Sequence, residues 1–221
     1  MGSELAEMRS RDEPSDRYYT PKDWPKPYQR VEALGITYTY PGSKRGIHGV
    51  DLRLERGSFA VIAGRRGAGK TTLLRALLGL LAGVEGEIRW NGAPLTGPPR
   101  LFDLPRVVYV AQARPGSEEA LCREIARLLE REAELLVVDD LSAALNTQQE
   151  RMLWDALFAG RLFGGWGACL AVSNRLPALC RADHILVLAE GRVVGEGRLE
   201  ELLRTCAEMR CIWKRTVGHA S

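Results

Sequence analysis

Residues 64–72 read GRRGAGKTT: Gly64, Arg65, Arg66, Gly67, Ala68, Gly69, Lys70, Thr71 and Thr72. The pattern is G-x-x-x-x-G-K-[ST], with Gly64, Gly69, Lys70 and Thr71 in the fixed positions. Glycines let a backbone turn its N–H groups inward and come close to a phosphate. The lysine adds a point positive charge, and the adjoining hydroxyl takes a place on a divalent cation. Immediately upstream, Phe59–Ala63 is a short apolar run of the kind that forms a buried strand. Downstream, Thr71–Leu81 reads as a helix whose positive dipole end faces the loop. Strand, loop and helix together predict a site for the β- and γ-phosphates of a nucleotide, lined by residues 64–72.

Working outward, the chain alternates strands and helices. Strands are expected at Val31–Tyr40, around Val50, Leu52 and Leu54, at Glu87–Trp90 before the turn Asn91-Gly92, and at Val107–Ala111, Leu135–Asp139 and Cys169–Ser173. A hairpin joins Ile185–Leu188 to Arg192–Val194. Further helices are expected at Glu118–Glu130, Thr147–Phe158 and Leu199 to about Trp213. The predicted class is α/β, a P-loop NTPase core with a mainly parallel sheet flanked by helices and an antiparallel portion at the front. The expected domain is 31–215, preceded by a polar, proline-bearing arm at 1–30 and followed by a short tail at 216–221.

Composition narrows the class. Thirty-one basic and 28 acidic residues leave a net charge of +3 without any block of like charge, so neither nucleic acid nor an anionic membrane surface is indicated as a partner. Five cysteines, Cys122, Cys169, Cys180, Cys206 and Cys211, are scattered without a C-x-x-C and read as free thiols. The most apolar run, Ala76–Val84, is too short to span a bilayer, and the charged N-terminus does not read as a signal peptide. The expected location is cytoplasmic, peripheral to a membrane if something holds it there.

A second element narrows the field: Leu135-Leu136-Val137-Val138 closes on Asp139. A buried strand ending in an acid puts a carboxylate beside the phosphate loop, where it holds Mg²⁺ directly or through water.

From Val31 to Trp213 the chain resembles the nucleotide-binding domain of ATP-binding cassette (ABC) transporters, most of all those of exporters. The resemblance rests on TYTYPGSKRGIHGVDLRLERG, the phosphate loop, GEIRWNG, VVYVAQ, LLVVDDLSAALN and RADHILVLAEGRVVGEG, in family order. It implies ATP and Mg²⁺ as ligands, with Thr71, Gln112 and Asp139 on the metal. It also implies Tyr40, the tyrosine before Pro41-Gly42, as the ring that stacks on adenine, with Tyr38 as its rival. Gln112 resembles the glutamine that touches Mg²⁺ and the attacking water.

Three departures bear on catalysis. The position after Asp139, usually a glutamate that polarises water, is Asp140, whose carboxylate sits one methylene, roughly 1.5 Å, further back. Misplacing a catalytic group by about 1 Å costs on the order of a hundredfold. The switch position, usually histidine, is Asn174, which can hydrogen-bond a γ-phosphate oxygen but cannot carry a proton or a positive charge. Lastly, only 26 residues separate Gln112 from Asp139, room for one helix of about 11–12 residues with its connections and no helical subdomain. Pro115-Gly116-Ser117-Glu118-Glu119 stands where the signature motif would lie, and reads as a capped helix start. By this resemblance the chain offers its own phosphate loop to a dimer but not a signature to its partner. An ATP-driven homodimer is therefore not expected, while an intact ABC half-transporter or a permease is an expected partner. Two readings compete: an ABC-type ATP-binding protein coupled to transport with weak hydrolysis through Asp140, Gln112 and Asn174, and a non-catalytic ATP-binding regulatory or remnant module.

Overall fold

The protein's computed structural model describes residues 28–95, 107–111, 134–159 and 167–218. The expected helix at 118–130, the signature region at 115–119, Gln112, most of the N-terminal arm and residues 219–221 lie outside the described residues.

Among the described residues ten strands form two sheets. The first is antiparallel, in the order β2 (Gly46–Glu55), β1 (Arg30–Thr39), β4 (Glu85–Trp90), β5 (Ala93–Pro94). The second runs β10 (Arg192–Gly197), β9 (His184–Ala189), β3 (Phe59–Gly64), β8 (Ala168–Val172), β7 (Leu135–Asp139), β6 (Val107–Val110). Within it β9, β3, β8, β7 and β6 are parallel, and only the β9–β10 hairpin is antiparallel. Among the described residues the α-helices are α1 (Lys70–Leu77), α2 (Thr147–Ala159), α3 (Leu176–Leu179), α4 (Leu199–Thr205) and α5 (Ala207–Gly218).

The central strands are buried along their whole length because both faces are covered. In β3, Ala60 and Ile62 pack into a core shared with α1 and the antiparallel sheet, while Phe59, Val61 and Ala63 pack into a second core with α2, α3, α4 and α5. The same alternation divides Leu170 from Ala171 in β8 and Val137 from Val138 in β7. An unbroken apolar run is what a parallel strand covered on two sides requires. Phe59 meets Trp154 with ring centroids 4.9 Å apart, fixing α2 against the sheet.

The expected strands are present, with boundaries moved by a few residues. The helix after the phosphate loop is shorter than the expected 71–81: it ends at Leu77 with Leu78 as its cap. Gly79 at φ +73° donates to the Ala76 carbonyl, and the Leu80 N–H donates to Arg75. This paired closure uses the left-handed conformation that glycine adopts at no steric cost. The final helix, expected as one from Leu199 to about Trp213, is two. Cys206 is extended (φ −102°, ψ 114°), and its buried side chain lies against Gly195, where an added Cβ would come within 3.0 Å of the sulfur. Packing of the thiol against β10 takes precedence over helical continuity, and α5 then runs on through Gly218. At the other end, the fold begins before Val31: Tyr28 is buried, donates to the Leu54 carbonyl at 2.6 Å and packs against Trp90. Among the described residues no helix is long and apolar enough to cross a membrane, and Cys169, Cys180, Cys206 and Cys211 are all free.

Candidate nucleotide site

Parallel neighbours β3, β8 and β7 all point the same way, so their carboxyl ends open on one edge of the sheet. Open α/β sheets bind ligands there. From those three ends emerge Gly64 and the phosphate loop, Asn174, and the pair Asp139 and Asp140. Strand order thus gathers residues separated by more than a hundred positions.

The loop can turn back on itself because of its glycines. Gly69, at φ +106°, caps α1, and a Cβ there would come within 3.0 Å of Ile47 Cγ2. At Gly64 a Cβ would lie 2.5 Å from the Leu188 carbonyl oxygen. The hairpin turn braces the loop from the side: Gly191 donates to Ala68 O at 3.0 Å, and His48 on β2 donates to Gly191 O at 2.9 Å. Lys70 Nζ folds over the loop and donates to the carbonyls of Gly64 at 2.6 Å and Arg65 at 3.0 Å. Burial pushes the Lys70 ammonium below the ordinary lysine value, opposed by the carboxylates of Asp140 and Asp139. No side chain caps the N-terminus of α1 and no acid stands in its first turn. Its dipole and first N–H groups are therefore left facing the loop, an arrangement suited to an anion.

Opposite the loop, Asp139 is 1% exposed, and Thr71 Oγ1 donates to its Oδ1 at a long 3.4 Å. Burial raises the Asp139 carboxyl above its usual range, and the Thr71 bond and the positive charges of Arg75 and Lys70 work against that. A buried carboxylate with so weak a partner, beside a hydroxyl, is the donor set a hard divalent cation takes. The residues present therefore fit Mg²⁺.

Tyr40, rather than Tyr38, stands at the loop. Tyr40 is 36% exposed with its hydroxyl 3.1 Å from Thr72 Oγ1, whereas Tyr38 is 9% exposed in the core and meets the Tyr40 ring edge-on. The two departures from the family pattern have specific backbone partners. Asp140 adopts φ +38°, and its Oδ1 accepts from the Ser142 N–H at 3.0 Å, capping the 3₁₀ turn Leu141–Ala143. Asn174 bonds both polar groups of Gly64: its Oδ1 accepts from the Gly64 N–H at 3.0 Å and its Nδ2 donates to the Gly64 carbonyl at 2.9 Å. Sequence reasoning aimed Asn174 at a phosphate; the structure pairs it with the first residue of the loop.

Four residues that the motifs did not single out hold this arrangement. Arg175, next to Asn174, donates to the carbonyls of Leu145 at 2.6 Å and Ser142 at 3.2 Å and to the buried carboxylate of Glu150 at 3.2 Å. Glu208 on α5 takes Arg65 in a two-pronged pair at 2.6 and 2.5 Å. Thr216, also on α5, donates to the Asn174 carbonyl at 2.9 Å. Only the buried position of Glu150 in a mainly apolar helix face hints at such a role in the sequence, since the partners lie 25 to 143 residues apart.

A family profile described as ABC transporter matches residues 47–156, from β2 through the phosphate loop and Asp139 into α2. The chain belongs to the ABC transporter ATP-binding family. This ABC domain is 26% identical to a putative ABC transporter ATP-binding protein of Streptomyces avermitilis, over 81% of this chain and 86% of the relative. It is 23% identical to the heterocyst differentiation ATP-binding protein HepA of Nostoc sp., over 83% of this chain, and spans 38% of that relative's length. It likewise spans 38% of an ATP-dependent lipid A-core flippase of Dechloromonas aromatica, at 28% identity. These alignments run over 232 to 240 residues while drawing on 78 to 83% of a 221-residue chain, so the relatives carry residues that this domain lacks. The fold is shared with a bacterial Atm1-family ABC exporter with ATP bound (TM-score 0.66, 21% identity, 85% of this chain and 42% of that one). It is shared too with a nucleotide-free ATP-binding cassette (TM-score 0.67, 17% identity, 83% and 98%).

Proposed function

We propose that this ABC domain binds Mg-ATP, turns it over slowly, and serves membrane transport in company with a permease or an intact ABC half-transporter. The observation that carries the binding part is the convergence of Lys70, Thr71 and Asp139 around a glycine-turned loop at the start of α1. The backbone of residues 64–72 and Lys70 hold the phosphates, and Tyr40 supplies the exposed ring for the base. Thr71 and Asp139, with Gln112, would hold Mg²⁺, which when bound neutralises charge between the β- and γ-phosphates.

Slow turnover is supported by Asp140 and Asn174. One oxygen of Asp140 is occupied as a turn cap, and both polar atoms of Asn174 are occupied by Gly64. The cap fixes the orientation of the Asp140 carboxylate, and Asn174 has to give up its bonds to Gly64 before it can follow developing charge. The same observation favours a second reading, a module that binds ATP without hydrolysing it and without a transport role. The short spacing between Gln112 and Asp139 supports partnership with an unlike chain over an ATP-closed homodimer. Glu118 and Glu119, where a signature would be, would repel an opposing triphosphate more strongly as water is excluded. Placement at the cytoplasmic face of a membrane would then come through the partner.

Steady-state ATPase measurement, with and without a candidate partner, tests the reading. Basal turnover close to background with partner-dependent stimulation is expected. Vigorous turnover by the chain alone would refute slow hydrolysis. Unchanged basal turnover with every partner that binds it would favour the non-catalytic module.

A further inference from the structure

The Arg65 carbonyl is a hub of the phosphate loop. It accepts from the Ala68 N–H at 3.1 Å, which closes the turn, and from Lys70 Nζ at 3.0 Å. The other carbonyl on Lys70 Nζ belongs to Gly64, a residue that Asn174 fastens at both its N–H and its C=O. Two neighbouring carbonyls thus aim the ammonium, and each depends on what holds its own residue. For Arg65 the hold is its side chain: Nε and Nη2 donate to the two carboxylate oxygens of Glu208 at 2.6 and 2.5 Å.

Glu208 stands in the first turn of α5, where an acid offsets the helix dipole wherever its side chain points. That duty alone would leave the carboxylate in solvent. Instead the Glu208 side chain is 12% exposed, against 51% for Arg65, and both of its oxygens are taken by one planar fork. The helix beneath it is fixed, because Met209 and Ile212 are buried in the core shared with β3, the strand that runs into the loop. Glu208 is therefore a post on a rigid element, and Arg65 is the loop residue tied to it. Two turns further along α5, the Thr216 hydroxyl shares its proton between the Asn174 carbonyl at 2.9 Å and the Ile212 carbonyl at 3.0 Å. One helix reaches both residues, Arg65 and Asn174, on which the carbonyls around Lys70 depend.

We infer that Glu208 is a positioning residue of the nucleotide site. It acts through Arg65 rather than on a phosphate: it holds the loop so that the Arg65 carbonyl keeps Lys70 Nζ in place for the β- and γ-phosphates. This holds on the reading of residues 64–72 as a Mg-ATP site, and it makes the effect selective. Loosening Glu208 weakens the grip on the outer phosphates and leaves the grip on the nucleoside, which Lys70 does not reach.

The test uses the full chain with Mg²⁺ and two fluorescent ligands, the trinitrophenyl derivatives of ATP and of AMP. The parent should bind the ATP derivative more tightly, since the AMP derivative lacks the phosphates that Lys70 meets. Glu208→Gln should weaken the ATP derivative by about fivefold, close to the most that a half-exposed ion pair confers, and leave the AMP derivative unmoved. Its far-ultraviolet circular dichroism spectrum should be unchanged. Should that variant fail to fold, Arg65→Gln removes the same pair from its exposed side and should give the same selective loss. The two changes together should weaken binding no further than either alone. Equal losses for both ligands would reduce Glu208 to a packing role and overturn the proposal. So would a preference for the ATP derivative that survives both single changes, or losses that multiply in the double variant, which would put the Arg65 side chain on the ligand itself. A parent chain that binds the two ligands alike would refute the Mg-ATP reading, and the role of Glu208 with it.

Discussion

Replacing Asn174 tests whether its amide is a fastener for the phosphate loop. Its two bonds, at 3.0 and 2.9 Å, serve the N–H and the carbonyl of Gly64 at once. In Asn174→Ala both vanish. The Gly64 carbonyl still accepts from Lys70 at 2.6 Å, so its loss is small. The Gly64 N–H, part-buried at the end of β3, loses its acceptor, and an orphaned buried donor costs about 1–3 kcal/mol. With the second bond worth about 0.5–1 kcal/mol, the expected destabilisation is about 2 kcal/mol. For a domain of this size that lowers the melting temperature by about 4–8 °C. Asn174→His should lose nearly as much, because the two nitrogens of an imidazole diverge and cannot both face one residue's N–H and C=O. Calorimetric unfolding without nucleotide gives the answer. A loss below about 0.5 kcal/mol in Asn174→Ala would show that the amide does not fasten the loop, and the account of Asn174 given above would fail with it.

Other outcomes follow from the same geometry. Mg-ATP at a hundred times its Kd should stabilise the parent by about 2.7 kcal/mol, and Lys70→Ala should erase that gain in a thermal shift assay. Asp140→Glu, even combined with Asn174→His, should raise turnover only modestly in a phosphate-release assay, because no signature motif is offered to supply donors for the γ-phosphate charge; the longer side chain also gives up the cap on Ser142, at a cost of about 1 kcal/mol. Glu150→Gln should cost about 1–2 kcal/mol in urea unfolding, because it removes the charged partner of the part-buried Arg175, which keeps its bonds to the Leu145 and Ser142 carbonyls. Alkylation by iodoacetamide near neutral pH should reach the exposed Cys180 and Cys211. It should spare Cys169 until unfolding, since complete burial pushes that thiol far above its ordinary range and withholds the thiolate.

Much of the fold was written locally. Phe59–Ala63, Leu135–Asp139 and Ile185–Leu188 announce themselves because strands covered on both faces must be apolar throughout. The loop is legible because its glycines answer backbone needs that no other residue meets. Gly79 was an equally local signal, a stop for α1 four residues before the expected end. The rest was not local. Whether Cys206 continues a helix depends on Gly195, on the strand it packs against. Asn174 was given a phosphate by its position in a motif, yet its bonds go to a residue 110 positions earlier. Separation along the chain, 143 and 33 positions, likewise hides the bracing of Arg65 by Glu208 and the grip of Arg175 on the turn after Asp140. Side-chain chemistry told what each could bond, and only the topology told to what.

The position of β3 in its sheet has a consequence for how the protein is made. Its two neighbours are β8 and β9, and the first paired residues, Phe59 with Cys169 and Ala60 with His184, lie more than a hundred positions apart. On a ribosome that adds about 5–20 residues per second, the apolar run Phe59–Ala63 therefore waits several seconds or longer before either edge can be covered. During that interval it is a hydrophobic strand with both sides open, the kind of segment that seeks other chains. Slower growth at low temperature, or a chaperone that holds this segment, should raise the yield of soluble chain more than any change at the finished surface.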